Sequence, residues 1–476
     1  MLTIGIVPLH RTTFDSKWAV ELWDRIRRTI LSFIQSMDYN IDLQIVYPSE
    51  DIGYNGIVVD DKSALDTIEL FRSKKVDSVV LLNLTFGDEI CGAYIAMEFK
   101  DKPIFLAATM EPEPLHDLKL RRSDSYTGTL ALASALHRRR LPFIFLGVMS
   151  HDDELLKKSM EKVIRISYAY KRLIGSRIGI VGPRPDRFEA VVFNEAELMK
   201  RFNLRLVHIS IAEILEEARR LEIDDKCVHD VLRDYTHLFS FNDNLREKFM
   251  KIAKLECALR KSINSYALEG LAFKCWTEPQ RYYGVAPCLV LSRLTDSGIM
   301  TSCEVDVYGL LSMLILYNVS LNQNVPFFFD WTIPHSTKEN AFLAWHCGNM
   351  PLSICKAGCK VSYQVRQALR FGWENAFGTS EGVLKPGDVT ILRLMEYDGE
   401  FKMLIAKGRV LDEEVPFSGA AGWIEVSGVS SYSQLYDLLV KEGFPHHAAL
   451  VHGDYVDELV ELAKLLKIKA IVIKCN

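Results

Sequence analysis

The chain has 476 residues, 49% hydrophobic and 25% charged, too long for one ordinary hydrophobic core and too apolar for a disordered or fibrous protein. A net charge of −5 with a pI near 6.2 supplies no broad cationic field, which argues against nucleic acid or anionic membrane as the main partner and for a small-molecule substrate. Ten cysteines at irregular positions are too sparse for a disulfide scaffold and predict reduced, mostly buried thiols with no structural disulfide.

The opening MLTIGIVP (1–8) has no basic stretch, and its apolar run stops at Pro8 and His10, short of a signal-peptide core. From 2 to 149, apolar β-rich runs recur: LTIGIVP (2–8), IDLQIVYP (41–48), SVVLLNLTF (78–86), PIFLAAT (103–109) and PFIFLGVM (142–149). Between the first four, 15–37 and 62–75 carry apolar residues at helical spacing, which predicts right-handed strand–helix–strand units and a doubly wound parallel sheet. A charged amphipathic helix over 153–173 leads to a second series, SRIGIVG (176–182), LRLVHIS (204–210) and GLAFKCW (270–276), interrupted by one long polar helical region over 231–267. The apolar run 308–319 is far below the ~20 residues a bilayer span needs and predicts a buried helix. With no export signal and no span, the chain reads as cytoplasmic.

After Val325 the rhythm changes to VPFFFDW (325–331), NAFLAWH (340–346), DVTILRLMEY (388–397) and EFKMLIAKGRV (400–410), short runs without crossover helices that predict an antiparallel sheet or barrel. Asp398-Gly399 is a hairpin signal. Helices over 430–442 and 455–466 flank HHAALVHG (446–453), and KAIVIK (469–474) closes the chain. The expected fold is α/β: two flavodoxin-like domains, 1–150 and 151–325, followed by a β-rich domain, 326–476.

Four clusters could carry chemistry. Glu304 and Asp306 lie between a strand and the helix 307–319, where they either serve a ligand at the strand's carboxyl end or cap the helix. Asp330 sits inside an apolar run, and a buried carboxylate must be paired, exposed or bound to a cation. His346 and the adjacent His446 and His447 are possible metal ligands or ordinary hydrogen-bonded histidines. Because neighbouring side chains on a strand point to opposite faces, at most one of His446 and His447 should face a given site. Cys347, Cys355 and Cys359 with His346 form a possible zinc set, but the C-x2-C knuckle is missing. VGPRPDRFE (181–189) lacks a phosphate-loop pattern and reads as a plain turn after a strand.

The order and flanks of these clusters resemble the L-fucose and L-arabinose isomerase superfamily. The stretch Lys274-Cys275-Trp276-Thr277-Glu278, then Tyr283-Gly284, Pro287-Cys288, Leu294-Thr295-Asp296-Ser297-Gly298 and Cys303-Glu304-Val305-Asp306-Val307-Tyr308-Gly309 is similar to the family's approach to its metal-binding glutamate. Phe329-Asp330, Asn340-Ala341 and Trp345-His346-Cys347-Gly348 resemble the block with the second carboxylate, and the paired histidines with Gly453-Asp454 resemble the segment that supplies a histidine. The resemblance implies an aldose–ketose isomerase for an L-fucose-, D-arabinose- or L-arabinose-like sugar, acting through a cis-enediolate. It implies Mn²⁺ or another divalent cation on Glu304, Asp330 and His447, with Glu304 and Asp330 also as acid and base. Arg11, His346 and Trp276 would bind substrate, and active sites would lie at subunit interfaces of a homo-hexamer. A non-catalytic sugar-binding or sensor protein is the competing reading.

Overall fold

The apolar runs of the first 150 residues become parallel strands β1 (Leu2–Leu9), β2 (Leu43–Val46), β3 (Ser78–Asn83), β4 (Ile104–Thr109) and β5 (Ile144–Met149), in the order β2-β1-β3-β4-β5. This is the flavodoxin-like order. Every residue of β1, β3 and β4 is buried, as a sheet covered on both faces requires. The connecting helices are α1 (Ser16–Ser36), α2 (Asp61–Ser73), α3 (Glu89–Glu98) and α4 (Ser125–Arg138), followed by α5 (Asp153–Leu173). Alternate strand residues Val79, Leu81 and Leu106 share one core with Phe71 of α2, Ile95 of α3 and Leu132 of α4.

This computed structural model describes residues 1–39, 41–111, 123–149, 153–239 and 243–473. The expected boundary between 150 and 151, Lys474 of the last predicted strand, and positions 240–242 of the predicted helical region lie outside them. The chain divides into two compact units, Met1–Lys171 and Arg172–Asn476.

In the second unit a parallel sheet runs β7-β6-β8-β9, built from β6 (Arg177–Val181), β7 (Arg205–Ile209), β8 (Gly270–Phe273) and β9 (Met300–Cys303). Its helices are α6 (Glu195–Phe202), α7 (Ile211–Arg220), α8 (Lys226–Leu238), α9 (Asp243–Tyr266), α10 (Cys288–Asp296) and α11 (Val307–Val319). The helical region expected as one piece over 231–267 is thus two helices. A disulfide joins Cys227 of α8 to Cys257 of α9, their Cα atoms 5.9 Å apart, which corrects the expectation of no structural disulfide. The pairing arises because two helices pack side by side, and the spacing of cysteines along the chain carries no trace of that.

The remaining strands form a barrel. They are β10 (Phe327–Pro334), β11 (Ala341–His346), β12 (Lys360–Tyr363), β13 (Phe377–Val383), β14 (Gly387–Tyr397), β15 (Glu400–Val410), β16 (Ala420–Val426), β17 (His447–His452) and β18 (Lys469–Ile473). Antiparallel pairings run β16-β11-β10-β17-β14-β15 and return from β15 to β16, closing the ring, while β13 and β18 add to it in parallel. Asp398 and Gly399 bridge β14 and β15 with φ of +53° and +83°, the type I′ geometry that a two-residue hairpin favours. Helix α12 (Val365–Phe371) links β12 to β13, and α13 (Tyr432–Glu442) and α14 (Val456–Leu465) flank β17. Helix α11 is buried almost all round and packs on β8 and β9 on one side and on β14 and β17 on the other. A helix apolar on every face has to be enclosed in this way. It ties the end of β9 to the barrel wall. Among the described residues no helix is long and apolar enough to cross a membrane.

Candidate metal centre

At the carboxyl end of β9 the chain turns into α11 through Glu304 and Val305, both left-handed at φ +61°. For residues other than glycine this backbone costs on the order of 1–3 kcal/mol each and suits a β-branched valine least. Hydrogen bonds from Val305 N to Phe273 O (3.3 Å) and from Asp306 N to Cys303 O (3.1 Å) hold the turn. Trp276, just beyond β8, donates Nε1–H to Oε1 of Glu304 at 3.1 Å.

Asp306 does cap α11: Oδ1 accepts the amide of Gly309 at 2.8 Å. The same carboxylate meets Arg393 of β14 in a fork, Nη1 to Oδ2 at 2.5 Å and Nη2 to Oδ1 at 3.1 Å, with both side chains fully buried. Oδ2 also accepts from Nδ1 of His447, at 2.9 Å. Burial opposes the charge, but Arg393 and His447 outweigh it and hold the carboxyl far below the usual range.

His447 and Asp330 face each other across β17 and β10. Nε2 of His447 lies 3.1 Å from Oε2 of Glu304 and 3.3 Å from Oδ1 of Asp330. These two carboxylate oxygens are buried, and apart from Nε2 of His447 neither has a partner among the described residues. With Nδ1 engaged by Asp306, the atoms that converge are one imidazole nitrogen and two carboxylate oxygens, a donor set that suits a divalent cation. Burial pushes the Asp330 carboxyl up. Burial also works against charge on Glu304, but His447 and Trp276 hold that carboxyl below its usual range. His447 is disfavoured as a cation by burial, and the surrounding carboxylates, Asp306 first, reverse this and raise it to about 10.

His346 at the end of β11 joins Asp330 and His447 in a group whose ligand atoms all lie within 4.8 Å of one another, and Glu304, His446 and His447 form another such group, His447 being common to both. The expectation that only one of the adjacent histidines could face the site is therefore wrong. Strand alternation does not govern His446, because it precedes the first residue of β17, and its ring centroid lies 4.0 Å from that of His447. The zinc set does not assemble: among the described residues no such group contains Cys347, Cys355 or Cys359.

Glu304, Asp330, His447, His346 and Trp276 thus meet in the second unit. Arg11 belongs to the first, where its guanidinium pairs with Glu89 and lies 4.6 Å from the ring centroid of Phe86. Asp306 was singled out in the sequence as a ligand-site carboxylate or a cap, but not as the partner of His447, and two further residues at the site went unnoticed. Arg393 had a signal, a cation within the apolar run DVTILRLMEY. Phe188 had none, since the turn after β6 looked plain, yet its ring packs on Trp276 (6.0 Å), His446 (5.3 Å) and His447 (6.3 Å).

Residues 5–174 match the family described as "Fucose/sulfoquinovose isomerase, N-terminal domain" and residues 344–474 match "L-fucose isomerase, C-terminal domain", the two flanking the stretch with Glu304 and Asp330. Proteins named "Sulfoquinovose isomerase" are similar along the chain: 29% identical over 472 residues in Priestia megaterium (98% of both chains) and 25% over 477 residues in Alkalicoccus urumqiensis (100% of both). One from a Clostridium species is 26% identical over 399 residues, 82% of this chain and 85% of its own. Such likeness to enzymes from end to end sets aside the non-catalytic sugar-binding reading. With both terminal regions matched, the chain belongs to the L-fucose isomerase superfamily and is an aldose–ketose isomerase.

Proposed function

We propose that the enzyme interconverts sulfoquinovose, a hexose carrying a sulfonate at C6, with its 2-ketose, using Mn²⁺ or a similar divalent cation held by Glu304, Asp330 and His447. The sugar comes from the names of the relatives above; the L-fucose- or arabinose-like sugars suggested by the wider superfamily are the second choice. The observation that carries the metal is the pair of buried carboxylate oxygens that converge on Nε2 of His447 and have no other partner among the described residues.

A bound cation would supply Lewis-acid polarisation of the oxygens on C1 and C2. The side chains do the rest. Moving a proton between C1 and C2 calls for a group that accepts and one that donates, and Glu304 and Asp330, both close to Nε2 of His447, are to serve as that pair. Trp276 orients Glu304 through Oε1, and Asp306, fixed by Arg393, holds the ring of His447 so that Nε2 faces the carboxylates. The rings of Phe188 and Phe328, the latter 4.6 Å from His447, form apolar walls that limit water. His346 and Arg11 are assigned to substrate binding.

The protein is proposed to work in the cytoplasm as a homo-hexamer with active sites at its subunit interfaces. The mass measured by light scattering should be six times the 54.3 kDa of one chain. For the activity, sulfoquinovose is incubated with enzyme and Mn²⁺ in deuterated water and followed by NMR. Ketose should form with deuterium at C1, aldose re-formed by the reverse reaction should carry it at C2, and chelator should stop both. Full turnover after exhaustive chelation would remove the metal from the mechanism, and no turnover of sulfoquinovose would remove the sugar.

A further inference from the structure

Asp330 is not sealed in. Its side chain is 21% exposed, and it opens on a cleft of about 380 Å³ whose lining includes Thr332, Trp345, Arg366, Phe417 and Ser418. That volume lies within the range of small-molecule sites and exceeds what one hexose fills. The charges in the lining are arranged simply. Asp330 is its one acidic residue and Arg366 its one basic residue.

Arg366, in the first turn of α12, is exposed and has no carboxylate partner among the described residues. Its guanidinium carbon lies 6.0 Å from the ring centroid of Trp345. Trp345 is held on two sides: it pairs with Asp330 across β11 and β10, and its Nε1–H donates to Ser418 O at 2.8 Å. It therefore forms a fixed shelf between the carboxylate and the cation. Thr332 is already committed, its Oγ1 donating to Leu343 O at 2.6 Å, which leaves Arg366 as the strong donor of the cleft.

A sulfonate is a permanent anion with three acceptor oxygens, and a guanidinium fork matches such groups in both charge and geometry. We propose that Arg366, seated beside Trp345, is the specificity-determining contact for the anionic group at C6, while C1 and C2 lie toward Asp330. This rests on the sulfonated-hexose reading above and adds the residue that selects for the charge.

The test compares wild type, Arg366→Met and Arg366→Lys on sulfoquinovose and on 6-deoxyglucose, the same sugar without its sulfonate, each with Mn²⁺. Arg366→Met should raise KM for sulfoquinovose by about 10- to 100-fold with a smaller effect on kcat, the scale of one charge-assisted contact. Arg366→Lys should restore part of it, and activity on 6-deoxyglucose should stay within about twofold of wild type. An unchanged KM for sulfoquinovose, or an equal loss on both sugars, would overturn the assignment. Wild-type enzyme that isomerises 6-deoxyglucose but not sulfoquinovose would overturn the sulfonated-substrate reading and this subsite with it. The two failures are told apart by the wild-type measurement alone.

Discussion

Asp306 and His447, 141 positions apart in the chain, meet at 2.9 Å between Oδ2 and Nδ1. A carboxylate behind an imidazole fixes the ring's orientation and leaves the far nitrogen as the ligand atom. Asp306 is able to do this because Arg393 and the amide of Gly309 occupy its remaining positions.

Asp306→Asn should lower Mn²⁺ affinity about 10- to 100-fold, measured by calorimetry or by the loss of the free-ion EPR signal. Unchanged affinity would mean that His447 needs no support from Asp306.

Arg393→Met leaves the Asp306 charge buried without its main partner, and the cost should be about 3–5 kcal/mol of stability in chemical denaturation. The double variant Arg393→Met with Asp306→Asn should recover part of that loss, since the residues are coupled. Additive losses would contradict the pairing.

Glu304→Gln and Asp330→Asn keep the shape of each side chain while removing its charge and its ability to take a proton. Each should reduce kcat by at least about 10²-fold with an unaltered circular dichroism spectrum. Retention of near-full turnover in either would remove that residue from the chemistry.

A cation that binds only the folded state stabilises it by mass action, by about 4 kcal/mol at a thousand times its Kd. Thermal unfolding should therefore shift upward as Mn²⁺ is added to chelator-treated enzyme, and the shift should vanish in Asp330→Asn. A melting temperature independent of Mn²⁺ would count against the site.

The Cys227–Cys257 bond closes a loop with a sequence separation of 30, and chain-entropy reasoning assigns such a cross-link about 3–4 kcal/mol. Cys227→Ser should lose that much in denaturant titrations under oxidising conditions and nothing under reducing ones. Equal stability of both proteins in the absence of reductant would show that the bond contributes no stabilisation.

Much of the architecture was legible without coordinates. Continuous apolar runs such as SVVLLNLTF can only be strands covered on both faces, the helix over 307–319 is too apolar to be anything but enclosed, and Asp398-Gly399 dictates its own turn. These features depend on neighbours in sequence, so sequence contains them. The centre was legible only as separate candidates: Glu304 resembled a cap, Asp330 a strand-end carboxylate and His447 an ordinary histidine, and family resemblance rather than local chemistry joined them. Tertiary structure decided the rest. Closure of the barrel sets Asp330 opposite His447, enclosure of α11 carries Asp306 to Arg393, and packing of α8 on α9 pairs Cys227 with Cys257. Each of these relations joins residues 30 or more positions apart. No local pattern encodes such distances, because they follow from how buried surfaces fit together once the chain has folded.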